Sequence, residues 1–164
     1  MKIRLEKPED ADQVRSLILA AFAAEDWAGE TEAGIVDRLR ASETMTLSVL
    51  AVTSGKIIAH AAFSKVLIGG LDLGWYGLGP VCVHPDFQSA GTGTSVITEG
   101  LHRLRTAGAA GCVVLGDPGY YHRFGFRAEP LLFLEGVPPE YFQSVVFKGQ
   151  LPAGSVTYDP AFNI

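Results

Sequence analysis

Residues 79–93 read GPVCVHPDFQSAGTG, and this stretch decides the fold. An apolar strand ends at Val83, Pro85 interrupts it, and a glycine-rich loop then leads into an amphipathic helix over 93–107. A strand, a tight glycine loop and a helix N-terminus together suit a phosphate, because the free N–H groups of the first helical turn face the anion. Gly91 and Gly93 allow the backbone to approach closely. We therefore predict an anion-binding loop here.

Three phosphate-binding patterns compete for this loop. The P-loop pattern fails because Thr94 stands where its lysine belongs, and the dinucleotide G-x-G-x-x-G pattern fails because Val96 replaces the third glycine. The third pattern is [RQ]-x-x-G-x-[GA] after a V-x-V-x-P strand end. The sequence QSAGTG at 88–93 matches it fully, and VCVHP at 81–85 precedes it at the right distance.

With this strand and loop, the chain resembles the GNAT superfamily of acetyl-CoA-dependent N-acetyltransferases. A second family signature, Y-x-x-x-G-F, is present as YHRFGF at 121–126, after GCVVLGDPGY. The resemblance covers residues 2–128 in element order. The tail, 129–164, is similar to a subgroup of bacterial predicted acetyltransferases, and we expect the whole chain, 1–164, to form one domain.

The resemblance implies acetyl-CoA as cosubstrate, no metal, and direct attack by a primary amine of a small molecule or peptide in a ternary complex. Backbone groups of Val81 and Val83 would pair with the pantetheine arm as an added strand does. An N–H near Cys82 would stabilise the oxyanion, and Tyr121 would be the catalytic acid that protonates the leaving thiolate. The residues implied to bind the cofactor are Val81, Cys82, Val83, Gln88, Ser89, Ala90, Gly91, Thr92, Gly93, Thr94, Tyr121 and Phe124.

One departure from the family pattern concerns charge in the loop. Many members carry arginine or lysine in the two positions held here by Ser89 and Ala90, so the side-chain charge on the phosphates is missing. Arg123 is a candidate to compensate. A non-catalytic acyl-CoA-binding or sensor domain, or an acyltransferase to a non-amine acceptor such as a hydroxyl, are the alternative functions.

The periodicity of apolar residues predicts an α/β fold. We expect a mixed, mostly antiparallel sheet of about six to seven strands with helices on both faces, and the resemblance implies a V-shaped splay between the fourth and fifth strands. The predicted strands are 2–6, 46–53, 56–68, 71–83, 111–116, 126–134 and 144–147. One predicted helix starts at Pro8, and three others cover 30–41, 93–107 and 118–124.

The charge of −5 is unevenly distributed along the 164 residues. Residues 1–44 carry a net −4, residues 45–128 a net +2 and residues 129–164 a net −3. A mildly basic middle suits an anionic cofactor, and acidic flanks suit a cationic acceptor. The overall negative charge speaks against nucleic acid or an anionic membrane as the main partner.

Other features of the sequence bear on compartment and assembly. The longest apolar run, 17–24, is too short to cross a bilayer, and the acidic N-terminus does not resemble a signal peptide, so we expect a cytoplasmic protein. Cys82 and Cys112 lie in apolar runs typical of buried thiols, and no Cys/His spacing matches a zinc site. Exposed strands in the tail leave room for a homodimer.

Several polar residues have a structural and a functional interpretation. Asp117 is predicted to cap the helix at Pro118 rather than to act as a base. His84 is predicted to serve the loop and His60 to be a satisfied histidine of the sheet. Four acids between the first two helices form a solvated face or attract an amine acceptor; they are Glu25, Asp26, Glu30 and Glu32.

Overall fold

The computed structural model describes residues 1–23 and 28–163, in which eight strands form one sheet with helices on both faces. The strands are β1 (Lys2–Leu5), β2 (Met45–Thr53), β3 (Lys56–Ile68), β4 (Leu71–Val83), β5 (Gly111–Leu115), β6 (Leu132–Phe133), β7 (Phe142–Val146) and β8 (Gly154–Thr157). The helices are α1 (Ala11–Ala21), α2 (Ala28–Ala41), α3 (Thr92–Thr106) and the single turn α4 (Pro118–Tyr121). The expected mixed α/β class is confirmed. Within these residues no helix is long and apolar enough to cross a membrane.

The first four strands form an antiparallel meander in the order β1-β2-β3-β4. Two-residue turns at 54–55 and 69–70 join β2 to β3 and β3 to β4, and all four turn residues have positive φ. This is the backbone of a type I′ turn, whose twist matches that of the flanking strands. The predicted ranges of β3 and β4 are confirmed residue for residue.

Alternate side chains of the strands enter two different hydrophobic layers. Val49 and Ala51 of β2 belong to the layer that includes Val96 of α3. Leu50, between them, belongs to the opposite layer with Val14 of α1. The sheet is therefore covered by α3 on one face and by α1 and α2 on the other.

The continuous strand predicted over 126–134 is wrong. Leu132 N–H donates to the Glu129 carbonyl oxygen across 3.1 Å, so the chain turns at Pro130, and only Leu132–Phe133 forms a strand. Proline is favoured at the second position of such a turn, and it has no N–H group to donate to a neighbouring strand. The tail also supplies β8, which pairs with Leu67 and Ile68 of β3 and with β6, so the sheet has eight strands rather than six to seven.

The sheet opens between β4 and β5. The two strands pair in parallel only between Trp75–Leu78 and Gly111–Val114, although β4 continues to Val83. Pro80, just beyond the last pair, has no N–H to donate to a neighbouring strand. The result is the V-shaped gap expected between the fourth and fifth strands, open along the last residues of β4.

Candidate active site

The end of β4 presents to this gap backbone groups that do not pair with β3; of these, the Val83 carbonyl oxygen accepts a hydrogen bond from Gln88 Nε2 across 3.4 Å. His84 N–H donates to the Ile58 carbonyl oxygen of β3 across 2.8 Å. Because hydrogen-bonded and non-hydrogen-bonded pairs alternate along an antiparallel ladder, Cys82 also bonds toward β3, while Val81 and Val83 direct their N–H and C=O groups away from it. The N–H groups near Cys82 that face the gap therefore belong to its two neighbours.

The loop after β4 brings the N-terminus of α3 to the same gap. Ser89 (φ 66°) and Gly91 (φ 79°) both adopt the left-handed conformation, and Gly91 is the residue that precedes the helix. Ser95 N–H makes the first helical bond, to the Gly91 carbonyl oxygen. The N–H groups of Thr92, Gly93 and Thr94 come before that bond, so they have no acceptor within the helix and are available to an anion.

A cleft of about 480 Å³ lies between the end of β4, this loop and α4. Ten of the twelve residues predicted to bind the cofactor line it: Val81, Cys82, Val83, Gln88, Ser89, Gly91, Thr92, Gly93, Thr94 and Tyr121. Ala90 belongs to the loop but not to the cleft wall. Phe124 lies behind the cleft, on a neighbouring depression of about 300 Å³ that Arg123 also lines.

Tyr120 is a cleft residue that the sequence pattern did not single out. Its hydroxyl oxygen lies 3.3 Å from Thr94 Oγ1, so it ties α4 to the first turn of α3. The guanidinium carbon of Arg123 lies 4.3 Å from the centre of the Tyr120 ring, and Arg123 Nε donates to the Tyr120 carbonyl oxygen across 2.8 Å. These contacts hold the positive charge of Arg123 at the cleft. The i, i+3 spacing of the two residues in a short helix was the available signal.

Tyr121 lies between the cleft and a second cavity. Its ring packs against Gly116, where a Cβ atom would lie only 2.4 Å from Cε2. Burial, with a smaller contribution from Tyr120, raises the pKa of the phenol to about 12. The side chain therefore packs against Gly116 and also lines both cavities, and it stays a neutral phenol at physiological pH.

The second cavity has a volume of about 640 Å³ and shares Phe22, Val81 and Tyr121 with the cleft. Much of its wall comes from the C-terminal tail, which the sequence analysis left without a functional role. The tail contributes Leu134, Glu135, Ser155, Val156, Thr157, Tyr158, Phe162 and Asn163. No local motif marks these residues, because they reach the cavity only through the pairing of β8 with β3.

Both cysteines are buried free thiols, as predicted. Burial raises the pKa of Cys82 to about 12, and the nearby carboxylate of Glu32 adds to the effect. Burial likewise raises the pKa of Cys112. A thiol with so high a pKa is a poor nucleophile at neutral pH, so Cys82 borders the cleft as an uncharged wall residue.

The structural interpretations of Asp117 and His84 are confirmed, and that of His60 is confirmed in part. Asp117 accepts a hydrogen bond from Gly119 N–H (2.9 Å) and caps α4. His84 Nδ1 accepts from Asp86 N–H (3.1 Å) in the turn after β4. His60 is fully buried, with Nε2 2.9 Å from Ser48 Oγ, but its Nδ1 has no hydrogen-bond partner among the described residues, so it is satisfied at one nitrogen only.

The acids between the first two helices separate into different environments. Glu25 and Asp26 lie outside the described residues. Glu30 is exposed, with an oxygen 3.5 Å from a guanidinium nitrogen of Arg15, whereas Glu32 lines the second cavity. Among the residues that the structure describes, no group of three or more His, Cys, Asp or Glu side chains is arranged to hold a metal ion.

Comparison with known proteins finds the same fold and domain. Residues 2–128 match the model of the acetyltransferase (GNAT) domain family. The uncharacterized N-acetyltransferase YhbS of Escherichia coli (strain K12) is 37% identical over 128 residues, which cover 77% of this chain and 74% of that protein.

Two solved structures resemble the chain over nearly its whole length. A GNAT family acetyltransferase from Brucella melitensis in complex with acetyl-CoA is 48% identical, with a TM-score of 0.88 over 98% of this chain and 97% of that one. YhbS from Escherichia coli in complex with CoA is 32% identical, with a TM-score of 0.92 over 99% of this chain and 92% of that one.

Proposed function

Because the chain belongs to the GNAT family of acetyltransferases, we propose that it transfers the acetyl group of acetyl-CoA to a primary amine of a small molecule or peptide, by direct attack in a ternary complex. The observation that carries the proposal is the position of Tyr121 on the walls of two adjoining cavities. The first has a helix N-terminus for phosphates, and the second is open to another substrate. The similar structures that hold acetyl-CoA or CoA support this use of the first cavity.

The residues of the cleft fit the chemistry of coenzyme A. The N–H groups of Thr92, Gly93 and Thr94 would hold the pyrophosphate, with Arg123 supplying the charge that Ser89 and Ala90 lack. Backbone groups of Val81 and Val83 would pair with the amides of the pantetheine arm. In this proposal residues 129–164 belong to the same domain, since β7 pairs with β5 and β8 pairs with β3.

The transfer requires a neutral amine, a stabilised oxyanion and an acid for the thiolate. The amine nitrogen attacks the thioester carbonyl carbon, the C–S bond then breaks, and the hydroxyl proton of Tyr121 passes to the sulfur. The proton lost from the amine leaves to water, from which Tyr121 is reprotonated. The products are an amide and CoA thiol. Burial disfavours a free thiolate, which promotes its protonation, but it also raises the pKa of the phenol, so the two effects oppose each other in this proton transfer.

The state of Cys82 supports direct attack over an acyl-enzyme route. A covalent route needs a nucleophile in the cleft, and a thiol whose pKa is raised to about 12 carries almost no thiolate at pH 7. This supports a transfer that takes place with both substrates bound.

The proposed function is tested by incubating the protein with acetyl-CoA and a panel of amines while free CoA thiol is measured. We expect thiol release above the rate of acetyl-CoA hydrolysis for at least one amine, together with the matching acetylated amine by mass spectrometry. Tight binding of acetyl-CoA without release for any amine would favour the acyl-CoA-binding alternative. Release with a hydroxyl compound alone would favour a non-amine acceptor.

A further inference from the structure

The residues that line the second cavity indicate which acceptors can bind there, and the transfer mechanism leaves that question open. If the proposed function holds, the amine must approach Tyr121 from this side, because the cleft on the other side is filled by the cofactor. The inference below rests on that function. It concerns which amines the cavity accepts.

The walls of the cavity are largely apolar. Ile35, Leu78, Leu115, Leu134, Val156 and Phe162 contribute side chains to it. Such walls favour a carbon skeleton over a chain of polar groups, since burial of apolar area is the main source of affinity in a cavity of this size.

The charges around the cavity are all of one sign. Glu32 and Glu135 line it, and none of its described lining residues is lysine, arginine or histidine. An ammonium group is attracted to such a site, whereas a carboxylate entering it meets the negative charge of Glu135 and, among the described lining residues, no cation. We therefore expect the cavity to bind an amine much better than the corresponding amino acid, which also carries a carboxylate.

Tyr158 adds a polar group that points to a bound partner. Its hydroxyl oxygen is buried and has no hydrogen-bond partner among the described residues, while its ring is fixed against Gly77 and stacks edge-on with Phe162 at 5.0 Å between centroids. Burial raises the pKa of Tyr158, with smaller contributions from Cys112 and Tyr121, and both tyrosines line the second cavity. A buried hydroxyl without a partner is rare in proteins and is commonly satisfied by a ligand or water.

We propose that the acceptor is a primary amine on an apolar carbon skeleton without a carboxylate, and that the Tyr158 hydroxyl accepts a hydrogen bond from its nitrogen. The ammonium is drawn in by Glu135 and loses its proton to water before attack. The hydrogen bond to Tyr158 then orients the nitrogen lone pair toward the thioester beside Tyr121. The skeleton remains against the apolar wall.

A matched pair of acceptors tests the class. With saturating acetyl-CoA, kcat/KM is measured for 2-phenylethylamine and for phenylalanine, which differ only in the carboxylate. We expect 2-phenylethylamine to be at least tenfold better. Equal rates, or faster acetylation of phenylalanine or of the polycation spermidine, would overturn the substrate class while leaving the proposed function intact. If no acceptor in a broad panel releases CoA, both are wrong.

A charge variant tests the acidic wall. Glu135→Gln removes one carboxylate from an exposed position, and Glu140→Gln, an exposed acid that is not among the lining residues, is the matched control. We expect Glu135→Gln to narrow the preference for 2-phenylethylamine over phenylalanine severalfold and Glu140→Gln to leave it unchanged. An unchanged preference in Glu135→Gln contradicts the proposal.

Tyr158→Phe tests the hydrogen bond, since it removes the hydroxyl and keeps the ring contacts. We expect kcat/KM for 2-phenylethylamine to fall about tenfold, with the KM for acetyl-CoA unchanged and Tm equal or higher, because an unpartnered buried hydroxyl is lost. A purely structural tyrosine would instead lower Tm and leave the amine kinetics of the folded protein unchanged, and that result would refute the assignment.

Discussion

At the residue scale, Tyr121 combines close packing with a position on the walls of both cavities. Its ring fits against Gly116 and lies edge-on to Phe126, with 6.0 Å between centroids, so the side chain has little freedom. This restricted mobility would not impair proton transfer, because the proton donor must lie at a defined place and does not need to move. Of the two adjacent tyrosines, Tyr121 is the one that lines both cavities.

We predict that Tyr121→Phe lowers kcat by about 100-fold or more, in the range typical of a lost general acid. Acetyl-CoA affinity should be unchanged, because the ring contacts remain. Since the pKa of Tyr121 is raised to about 12, the wild-type rate should show no loss from ionisation of this phenol below about pH 11. Steady-state kinetics across pH and calorimetric binding of acetyl-CoA measure both quantities.

The control for this variant is Tyr141→Phe. Tyr141 is exposed and lies in the turn before β7, outside the lining of both cavities. It should retain wild-type kcat. Full activity in Tyr121→Phe would show that another group, or water, protonates the leaving sulfur.

At the scale of secondary-structure elements, α3 contacts the rest of the protein at two places. Its first turn meets the loop after β4, and its middle packs closely on the sheet, where a Cβ atom at Gly100 would lie 2.1 Å from Cε1 of Phe63. The absence of a side chain at Gly100 lets the helix pack close to the sheet. This packing positions the N–H groups at the N-terminus of the helix.

The anion-binding loop predicts a difference between two glycine variants. Gly91 and Gly149 both have φ near +75° to +79° and open space around an added Cβ. Gly91→Glu places a carboxylate at the proposed pyrophosphate site, so acetyl-CoA should no longer raise its Tm. Gly149→Glu suffers the same backbone strain far from the cleft and should keep the shift seen in the wild type.

The measurement is a thermal melt with and without acetyl-CoA. For the wild type at a hundredfold excess over Kd, ligand binding contributes about 2.7 kcal/mol to stability. A preserved shift in Gly91→Glu would mean that the phosphates bind elsewhere.

The close contact of α3 with the sheet predicts opposite effects for two helical glycines. Gly100→Ala adds a methyl group against the buried Phe63, and we expect a loss of about 1–3 kcal/mol of unfolding free energy despite the better helix propensity of alanine. Gly34→Ala in α2 meets only the flexible end of Arg38, at 3.2 Å, and should be neutral or stabilising. Urea denaturation compares them. Equal effects would show that the sheet yields to the added methyl.

At the scale of the whole molecule, the sheet joins segments that are far apart in sequence. β4 supplies backbone groups at the gap, α4 supplies Tyr121, and the tail closes the second cavity through β8. The same burial that assembles this core places a histidine, His60, where water cannot reach it. Its protonation is thus coupled to unfolding of the domain.

We predict that His60 makes the protein less stable as pH falls. Burial, with a smaller effect of Arg40, lowers the pKa of His60 from 6.5 to about 3 in the folded protein. Between these two values the unfolded chain binds a proton that the folded chain does not, so stability is complete above pH 6.5 and is lost toward pH 3. The limiting slope for one proton is about 1.4 kcal/mol per pH unit.

The measurement is urea denaturation between pH 4.5 and 7.5 for the wild type and His60→Asn, which cannot titrate. The difference in slope isolates His60, because the other groups are common to both proteins. Asp10, whose pKa is lowered from 3.8 to about 2, acts only below this window. Parallel slopes would show that His60 is protonated in the folded protein.

The sequence by itself determined the elements and the anion-binding loop. Strand alternation, the positive-φ turns and the Gly91 loop depend on backbone geometry within a few residues, so β3, β4 and α3 could be read from local pattern. The resemblance carried by 81–93 and 121–126 supplied the family. The strand predicted over 126–134 was wrong, because Pro130 forms a turn within an apolar run that otherwise favours a strand.

Only the tertiary structure decided what lies opposite Tyr121. Phe22, Glu32 and Tyr158 are separated by up to 136 residues along the chain yet line one cavity. No periodicity links them, because they meet through strand pairing and helix packing rather than through neighbouring backbone. The proposed cofactor side of the site is built from contiguous backbone, so the sequence could predict it. The proposed acceptor side is built from side chains that only the folded sheet brings together.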